Sequence, residues 1–219
     1  MSWSRDREGP ERRGYHHGNL REALIRAALE LIAAKGPAGF TFAEAARTAG
    51  VSPAAPYRHF RDRDALMADV ARRGFELFEA ELARAWNDGK PEPLVAFEEV
   101  GRAYLAFARR EPAYYSAMFE AGLPLDLDPG LREAGERAFA VLRRASEALC
   151  SKLSPTTRPP ALMMALHVWA LSHGIASLFG RGDSARRKLP MTPEELLEAG
   201  VLVYLAGLGF PGPAKGSPG

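Results

Sequence analysis

Hydrophobic residues recur every three to four positions along most of this chain, and nowhere do they alternate as they would in a strand. The apolar positions that follow Leu20 keep this spacing until Lys35, Gly36 and Pro37 end the run, which predicts a first helix. Later runs predict helices at about 63–86, 93–110, 112–121, 131–153, 161–179 and 196–210. With two short helices near residue 50, the pattern predicts an all-α chain of about nine helices.

Two short helices joined by a tight turn are predicted from the stretch TFAEAARTAGVSPAAPYRHF, residues 41–60. Thr41 suits an N-cap, and Glu44 stands three residues later, as a capping box requires. Gly50 supplies the left-handed residue that ends the first helix, and Ser52 would cap the second. A helix, a glycine-containing turn and a second helix form a helix-turn-helix.

The end of the second helix carries polar side chains that suit phosphate oxygens, namely Tyr57, Arg58 and His59. Each of them alone is typical of a solvated helix end, but together they favour anion binding. Asp62 is expected to cap the next helix, which places Arg63 in its first turn. A cation at that position opposes the helix dipole, so we expect Arg63 to serve an outside anion.

These motifs resemble a known family. Residues 15–66 are similar to the DNA-binding domain of the TetR family of bacterial transcriptional repressors, through GNLREALIRAALELIAAKG, FTFAEAARTAGVS, YRHF and RDRDAL. HVWALSHGIASLF, at 167–179, resembles the Trp-His-Gly signature of one group of TetR-type C-terminal domains. Family members usually carry an aliphatic residue where this chain has Pro56. We therefore expect the second helix to be tight or bent at its start.

The resemblance implies a division of the chain and a set of DNA contacts. We expect a flexible tail at 1–14, a three-helix helix-turn-helix domain at 15–62, a ligand-binding and dimerisation domain at 63–210 and a flexible tail at 211–219. Phosphate contacts would come from Thr41, Tyr57, His59 and Arg63. The expected DNA contacts are Thr41, Arg47, Thr48, Ser52, Pro53, Ala54, Ala55, Tyr57, Arg58, His59 and Arg63.

Charge agrees with this division. The formal net charge is only +2, but residues 1–73 hold 13 basic and 9 acidic residues, so the basic end is the helix-turn-helix end. A single cysteine, Cys150, excludes an intrachain disulfide framework and Cys-rich zinc sites, which fits a reducing cytoplasm. His167 and His173 lie six residues apart and share no helix face, which disfavours a metal pair. No metal or cofactor is expected.

The second domain is rich in aromatic residues and methionine. Taken singly, each is more often a core residue than a ligand contact, and periodicity cannot separate the two. The mixture also suits a mostly apolar pocket with a few polar groups, for an uncharged or weakly polar small molecule. The expected ligand contacts are Phe75, Phe78, Tyr104, Phe107, Tyr115, Met118, Phe119 and His167.

Residues 161–179 and 196–210 are apolar on most faces. The first is long enough to raise a transmembrane helix, but polar residues interrupt it and a charged loop follows, so we do not expect a membrane span. A helix that is apolar all round must be covered on every side, which predicts a four-helix dimer interface. Its expected residues are Trp169, His173, Leu197, Val201, Tyr204 and Leu208.

No enzyme motif is present: the sequence has no Gly-rich phosphate loop after a strand and no Gly-x-Ser-x-Gly elbow. We therefore expect a ligand-responsive dimeric transcriptional regulator of the cytoplasm, with repression favoured, that binds a palindromic operator in double-stranded DNA. Its partners would be that operator, a small-molecule effector and a second copy of the chain, with no membrane. The alternative is a helical small-molecule-binding protein or enzyme without DNA-linked switching.

Overall fold

A computed structural model describes residues 20–156, 158–180 and 190–210. Within these ranges the protein is all-α, as expected, and no strand occurs. The helices are α1 (Leu20–Lys35), α2 (Phe42–Thr48), α3 (Arg63–Trp86), α4 (Pro93–Arg110), α5 (Pro112–Phe119), α6 (Pro129–Cys150), α7 (Ala161–Gly180) and α8 (Pro193–Gly207). Short 3₁₀ turns lie at Ala55–Arg58, Asn87–Gly89 and Leu125–Leu127. The tails expected at 1–14 and 211–219 lie outside the described residues.

Both ends of α2 and the start of α3 form as the local sequence predicts. The Glu44 amide donates to the Thr41 hydroxyl at 3.2 Å, and the Thr41 amide donates to the Glu44 carboxylate at 2.8 Å. This is the predicted capping box. Gly50, with a φ of 72°, takes the left-handed conformation after α2. The Ala65 amide donates to the Asp62 carboxylate at 2.8 Å, which confirms Asp62 as the N-cap of α3.

Helix α3 connects the two halves of the protein. Its 24 residues give it a length of about 36 Å. It packs against α1 and also against α4, α5 and α6. Leu66 and Val70 are fully buried near its start, and Phe75, Phe78 and Leu82 are buried further along. We call residues 20–62 the head and the residues after α3 the core.

A buried ion cluster joins the head to α3. The Asp69 side chain lies on α3 and the residue is only 6% exposed. Arg21 of α1 donates to its carboxylate at 2.9 and 3.2 Å, and Arg72 donates to it at 2.6 Å. Arg73 lies 3.5 Å away and also forms an ion pair with Glu22 of α1. Burial alone would raise the pKa of Asp69, but hydrogen bonds from Arg21 and Arg72 outweigh it and lower the pKa.

Helices α7 and α8 pack closely on one another and leave an apolar face uncovered. Gly200 permits the approach, because a Cβ there would lie 2.8 Å from Leu171 of α7. Among the described residues, α7 is long and apolar enough by length and composition to cross a membrane. Core helices pass the same test, and α7 packs on α4, α6 and α8. The large exposed apolar side chains of this pair are Leu162, Met163, Leu166, Leu178 and Val203.

Replacing Asp69 by asparagine is expected to lower the free energy of unfolding by about 2 kcal/mol, since charged hydrogen bonds to Arg21 and Arg72 are lost. Urea denaturation followed by circular dichroism measures this change in the free energy of unfolding. Glu147→Gln, which removes a partner 3.7 Å from Arg143 in an exposed ion pair, is the control and should change stability by less than about 0.5 kcal/mol.

The Asp69 contribution should also depend on pH. Because the folded pKa lies below the ordinary value of 3.8, the stabilisation is fully present above that value and is lost as the pH falls through the folded pKa. The difference between wild type and Asp69→Asn should therefore shrink in acid. A difference that stays constant from neutral pH down to about pH 3 would contradict this role for the carboxylate.

Candidate nucleic-acid interface and ligand cavity

The second element of the helix-turn-helix is shorter than the sequence predicts. It begins at Ala55 rather than at Pro53, and it is a 3₁₀ turn rather than an α-helix. Ser52 therefore does not cap it with its hydroxyl; the Ser52 carbonyl accepts from the Ala55 amide at 3.0 Å instead. Pro56 is buried, and its carbonyl accepts from the amides of His59 and Phe60 at 2.9 and 3.0 Å. A tight geometry around Pro56 is what its missing amide favours.

Most residues expected to contact DNA lie on one exposed stretch of the head. Ala55 is half-buried, and the exposed ones are Thr41, Arg47, Thr48, Ser52, Pro53, Ala54, Tyr57, Arg58 and His59. The Arg47 side chain is 77% exposed and lies 3.8 Å from Glu44. The Tyr57 ring packs edge-on against Phe42 with centroids 5.1 Å apart, which fixes the phenol while it remains open to solvent.

Thr41, one of the expected phosphate contacts, is already hydrogen-bonded within the protein. The Thr41 hydroxyl donates to Glu44 at 3.2 Å and accepts from the Glu44 amide, so its hydrogen is used in the capping box. A hydrogen bond from Lys35, followed by those from Thr41, lowers the pKa of Glu44 to about 2, so the carboxylate that holds this box stays ionised at neutral pH.

Arg63 has several partners within the protein, so its expected role for an outside anion stays a prediction. Its guanidinium donates to the Phe40 carbonyl at 3.0 Å and to the Pro37 carbonyl, and it lies over the Phe40 ring at 4.9 Å. It also lies 3.1 Å from the Asp64 carboxylate. These contacts tie the start of α3 to the loop between α1 and α2. The unfavourable dipole position is therefore offset by internal acceptors.

The core contains a cavity of about 360 Å³. Five of the residues expected to contact a ligand line it: Phe75, Phe78, Tyr104, Met118 and Phe119. Sequence reasoning missed other lining residues, among them Glu136, Phe139, Leu142, Leu166, Trp169 and Ser172. Glu136 is the ionisable carboxylate among the described lining residues, and it is exposed. The wall is thus apolar, with the hydroxyls of Tyr104 and Ser172 as polar groups.

Three expected ligand contacts lie elsewhere. Phe107 is fully buried behind the wall, with its ring 5.0 Å from that of Phe78. His167 is exposed on the far side of α7 and lies 3.2 Å from the Tyr204 hydroxyl, so it is not a polar anchor of the cavity. Tyr115 lines a separate cleft of about 730 Å³ between the end of α1 and helices α4, α5 and α7.

His173 forms a hydrogen-bonded cluster between the cavity and this cleft. Its Nδ1 lies 2.7 Å from the Tyr115 hydroxyl and 3.3 Å from the Tyr104 hydroxyl. Burial lowers the pKa of His173, raises the pKa of Tyr115 to about 12 and raises that of Tyr104 well above its ordinary value. All three side chains are therefore neutral at neutral pH, and an imidazole nitrogen can accept from a phenol.

The residues expected at a dimer interface also lie in different parts of the protomer. Trp169 faces the cavity, with its ring 5.7 Å from that of Phe139, and His173 faces the core. Leu197 and Val201 are only 4% and 6% exposed, because they pack inward beside α4, where Leu197 meets Gly101. Leu197 and Val201 are interior residues of the protomer, which contradicts their assignment to a dimer interface, whereas Trp169 and His173 are half-buried and their assignment stays a prediction. Tyr204 and Leu208 are half-buried.

Comparisons with known proteins agree with both halves of the fold. Residues 24–70 match a family model described as bacterial regulatory proteins, tetR family, and residues 97–204 match one described as tetracyclin repressor-like, C-terminal domain. No curated protein matches the chain.

Solved structures are also similar. One is a protein of unknown function from Rhodococcus sp. RHA1, 28% identical, with a TM-score of 0.72 over 90% of this chain and 98% of that one. Another is a TetR family transcription regulator from Marinobacter aquaeolei VT8, 15% identical, with a TM-score of 0.63 over 85% and 94%. A third is the fatty acid degradation regulator FadR from Bacillus halodurans, 11% identical, with a TM-score of 0.64 over 84% and 94%. The last two show the fold alone.

The contrast between Arg58 and Arg63 predicts two different phenotypes. Arg58 is exposed, so Arg58→Ala should lower the slope of log DNA affinity against log salt by about one unit for each protomer. Arg58→Lys keeps the charge and should keep the slope. Arg63→Ala should leave the slope unchanged and lower the free energy of unfolding by about 1.5 kcal/mol, because its hydrogen bonds to Phe40 and Pro37 are lost.

Fluorescence anisotropy titrations at several salt concentrations, with urea denaturation of the same proteins, separate these effects. A reduced slope for Arg63→Ala with unchanged stability would restore Arg63 as a phosphate contact.

Proposed function

The chain belongs to the TetR family of bacterial regulatory proteins, and we propose that it is a dimeric repressor that a small apolar molecule releases from its operator. The observation that carries the proposal is that one helix, α3, belongs to both functional parts. Its start is held in the head by Arg63 and Asp69, and its second half supplies Phe75, Phe78 and Leu82 to the cavity wall. Proteins of this family are transcription regulators and not enzymes.

DNA would be held by the exposed stretch of the head. The side chains of Tyr57, Arg58 and His59 would contact phosphates, which positions the head on the duplex without reading sequence. Arg47 and Thr48 at the end of α2 would read base edges, with Ser52, Pro53, Ala54 and Ala55 in close apolar contact. Because these last side chains are short, specificity would lean on thymine methyl contacts and on DNA shape. Because DNA is its proposed target, we propose that the protein acts in the cytoplasm.

A second copy would cover the apolar face of α7 and α8. The exposed side chains there carry no charge from Leu162 to Leu178, and Val203 on α8 is 74% exposed. An apolar face of this extent is typical of a protein interface. Two copies related by a two-fold axis would present two heads, so the operator would be palindromic. We also propose the division into a helix-turn-helix DNA-binding domain at 15–62, which contains the head, and a ligand-binding and dimerisation domain at 63–210.

The effector would occupy the cavity and act through α3. An uncharged or weakly polar molecule fits the wall, because its buried groups are aromatic or aliphatic apart from two hydroxyls. Release requires that the ligand binds one arrangement of the two heads more tightly than the other. A tenfold loss of DNA affinity needs about 1.4 kcal/mol of such coupling.

DNase footprinting on the promoter region beside the gene's own reading frame tests the function. A dimer should protect a two-fold-symmetric site, at a concentration at which random DNA of equal length is not bound. Equal affinity for both DNAs at moderate salt would contradict operator-specific binding and favour a helical ligand-binding protein without DNA-linked switching.

Two valines on α8 separate dimerisation from folding. Val203→Glu would place an unpaired carboxylate in the proposed interface and weaken the dimer by about 3 kcal/mol or more, with helix content unchanged. Val201→Glu would place it inside the protomer and unfold the protein. Analytical ultracentrifugation and circular dichroism measure both variants. An intact Val203→Glu dimer would show that this face is not the interface.

Filling the cavity should abolish the response to ligand and preserve DNA binding. Gly135 lines the cavity, and a Cβ there would lie 3.8 Å from the Phe75 ring, so Gly135→Leu can extend into the space without a backbone clash. Both Gly135→Leu and its control Gly135→Ala gain helix propensity, about 1 kcal/mol for alanine. Gel shifts with an effector found by thermal-shift screening should show release for the alanine variant and none for the leucine variant. Equal release of DNA from both variants would show that the effector does not bind in this cavity.

A further inference from the structure

The cavity reaches the protein surface between α6 and α7. Nearly all of its described lining residues are buried or half-buried, and the exposed ones are Glu136 on α6 and Leu166 on α7. These two residues each lie three positions before a partner in the Phe139 and Trp169 ring contact, whose centroids are 5.7 Å apart. The opening therefore follows the seam between the two helices, beside that ring pair.

Leu166 belongs both to this opening and to the uncovered apolar face. It is 43% exposed although it lines the cavity, and Leu162 and Met163 continue the exposed surface one turn earlier. No Asp, Glu, Lys or Arg occurs from 161 to 180, so covering this face buries none of these charged side chains. Whatever covers the α7 face must also approach the opening at Leu166.

We propose that a second copy of the chain completes the ligand site, by lying over Leu166 and closing the opening between α6 and α7. This rests on the proposed function, which supplies the dimer and the cavity. The bound molecule is a neutral, mainly apolar one, since the walls that enclose it carry aromatic rings and hydroxyls and the partner adds an uncharged face. Each protomer then holds one molecule, and the isolated protomer holds it weakly.

Closure affects affinity through the hydrophobic effect. Covering about 55 Å² of apolar ligand surface that would otherwise face water tightens binding about tenfold. Linkage makes the effect reciprocal, so each bound ligand tightens the dimer tenfold and the two ligands of one dimer tighten it about a hundredfold. If one protomer alone enclosed the cavity, ligand affinity would not depend on dimerisation and the ligand would not tighten the dimer. Measurements in solution therefore distinguish a site closed by the partner from a site closed within one protomer.

The test uses N-phenyl-1-naphthylamine, an uncharged apolar dye whose fluorescence rises in apolar sites, as the probe. Wild type is compared with Val203→Glu, which alters α8 outside the cavity lining, and with Val95→Glu, a matched charge at an exposed position of α4. Wild type and Val95→Glu should bind one dye per protomer with equal affinity, and monomeric Val203→Glu about tenfold more weakly. Dilution of wild type below its dimer dissociation constant should give the same loss, and saturating dye, which fills both sites of the dimer, should tighten dimerisation about a hundredfold in ultracentrifugation.

The outcomes separate this inference from the proposed function. If monomeric Val203→Glu binds the dye as tightly as wild type and the dye leaves dimerisation unchanged, the cavity is complete in one protomer and the inference is wrong, while the ligand site stands. If Gly135→Leu binds the dye as wild type does, the dye is not in the cavity and the proposed ligand site fails as well. A Val203→Glu protein that remains dimeric overturns the choice of interface and the inference with it.

Discussion

A buried carboxylate, Asp69, holds the head of this protein to the long helix on which the rest is built. It accepts hydrogen bonds from Arg21 on α1 and from Arg72 on its own helix, and Arg73 continues the cluster to Glu22. Each guanidinium is only partly exposed, so no arrangement that separates α1 from α3 leaves these charges equally well paired. The head and the start of α3 therefore move as one unit.

Under the proposed function, that constraint would give a ligand a way to act at a distance. Phe75 and Phe78 line the cavity on the same helix that carries Asp69, so a shift of α3 that accommodated a ligand would also turn the head. The cleft of about 730 Å³ beside the end of α1 leaves room for such a rotation. The hydrogen bond between Tyr115 and His173 lies between the cavity and this cleft, and it is made of neutral groups that can rearrange without separating charges.

Most features set by neighbouring residues could be predicted from the sequence, with the Ser52 cap as an exception, and features set by the fold could not. The Thr41 capping box and the Asp62 cap involve partners three residues away, and both are as predicted. Arg63 was assigned to an outside anion because its acceptors, the carbonyls of Phe40 and Pro37, are remote in sequence. Leu197 and Val201 were assigned to a dimer because an apolar helix does not reveal which face its own protomer covers. For the same reason, Trp169 lines the cavity although the sequence did not assign it there, and His167 lies outside the cavity.

In the proposed dimer, filling the cavity would move the two heads relative to each other. Spin labels at Ala34→Cys, an exposed position of α1, in a Cys150→Ala background would report the distance between heads by double electron-electron resonance. We predict one distance distribution in the operator complex and a different one when a cavity ligand is saturating. An unchanged distribution under ligand that nonetheless releases the operator would contradict the claim.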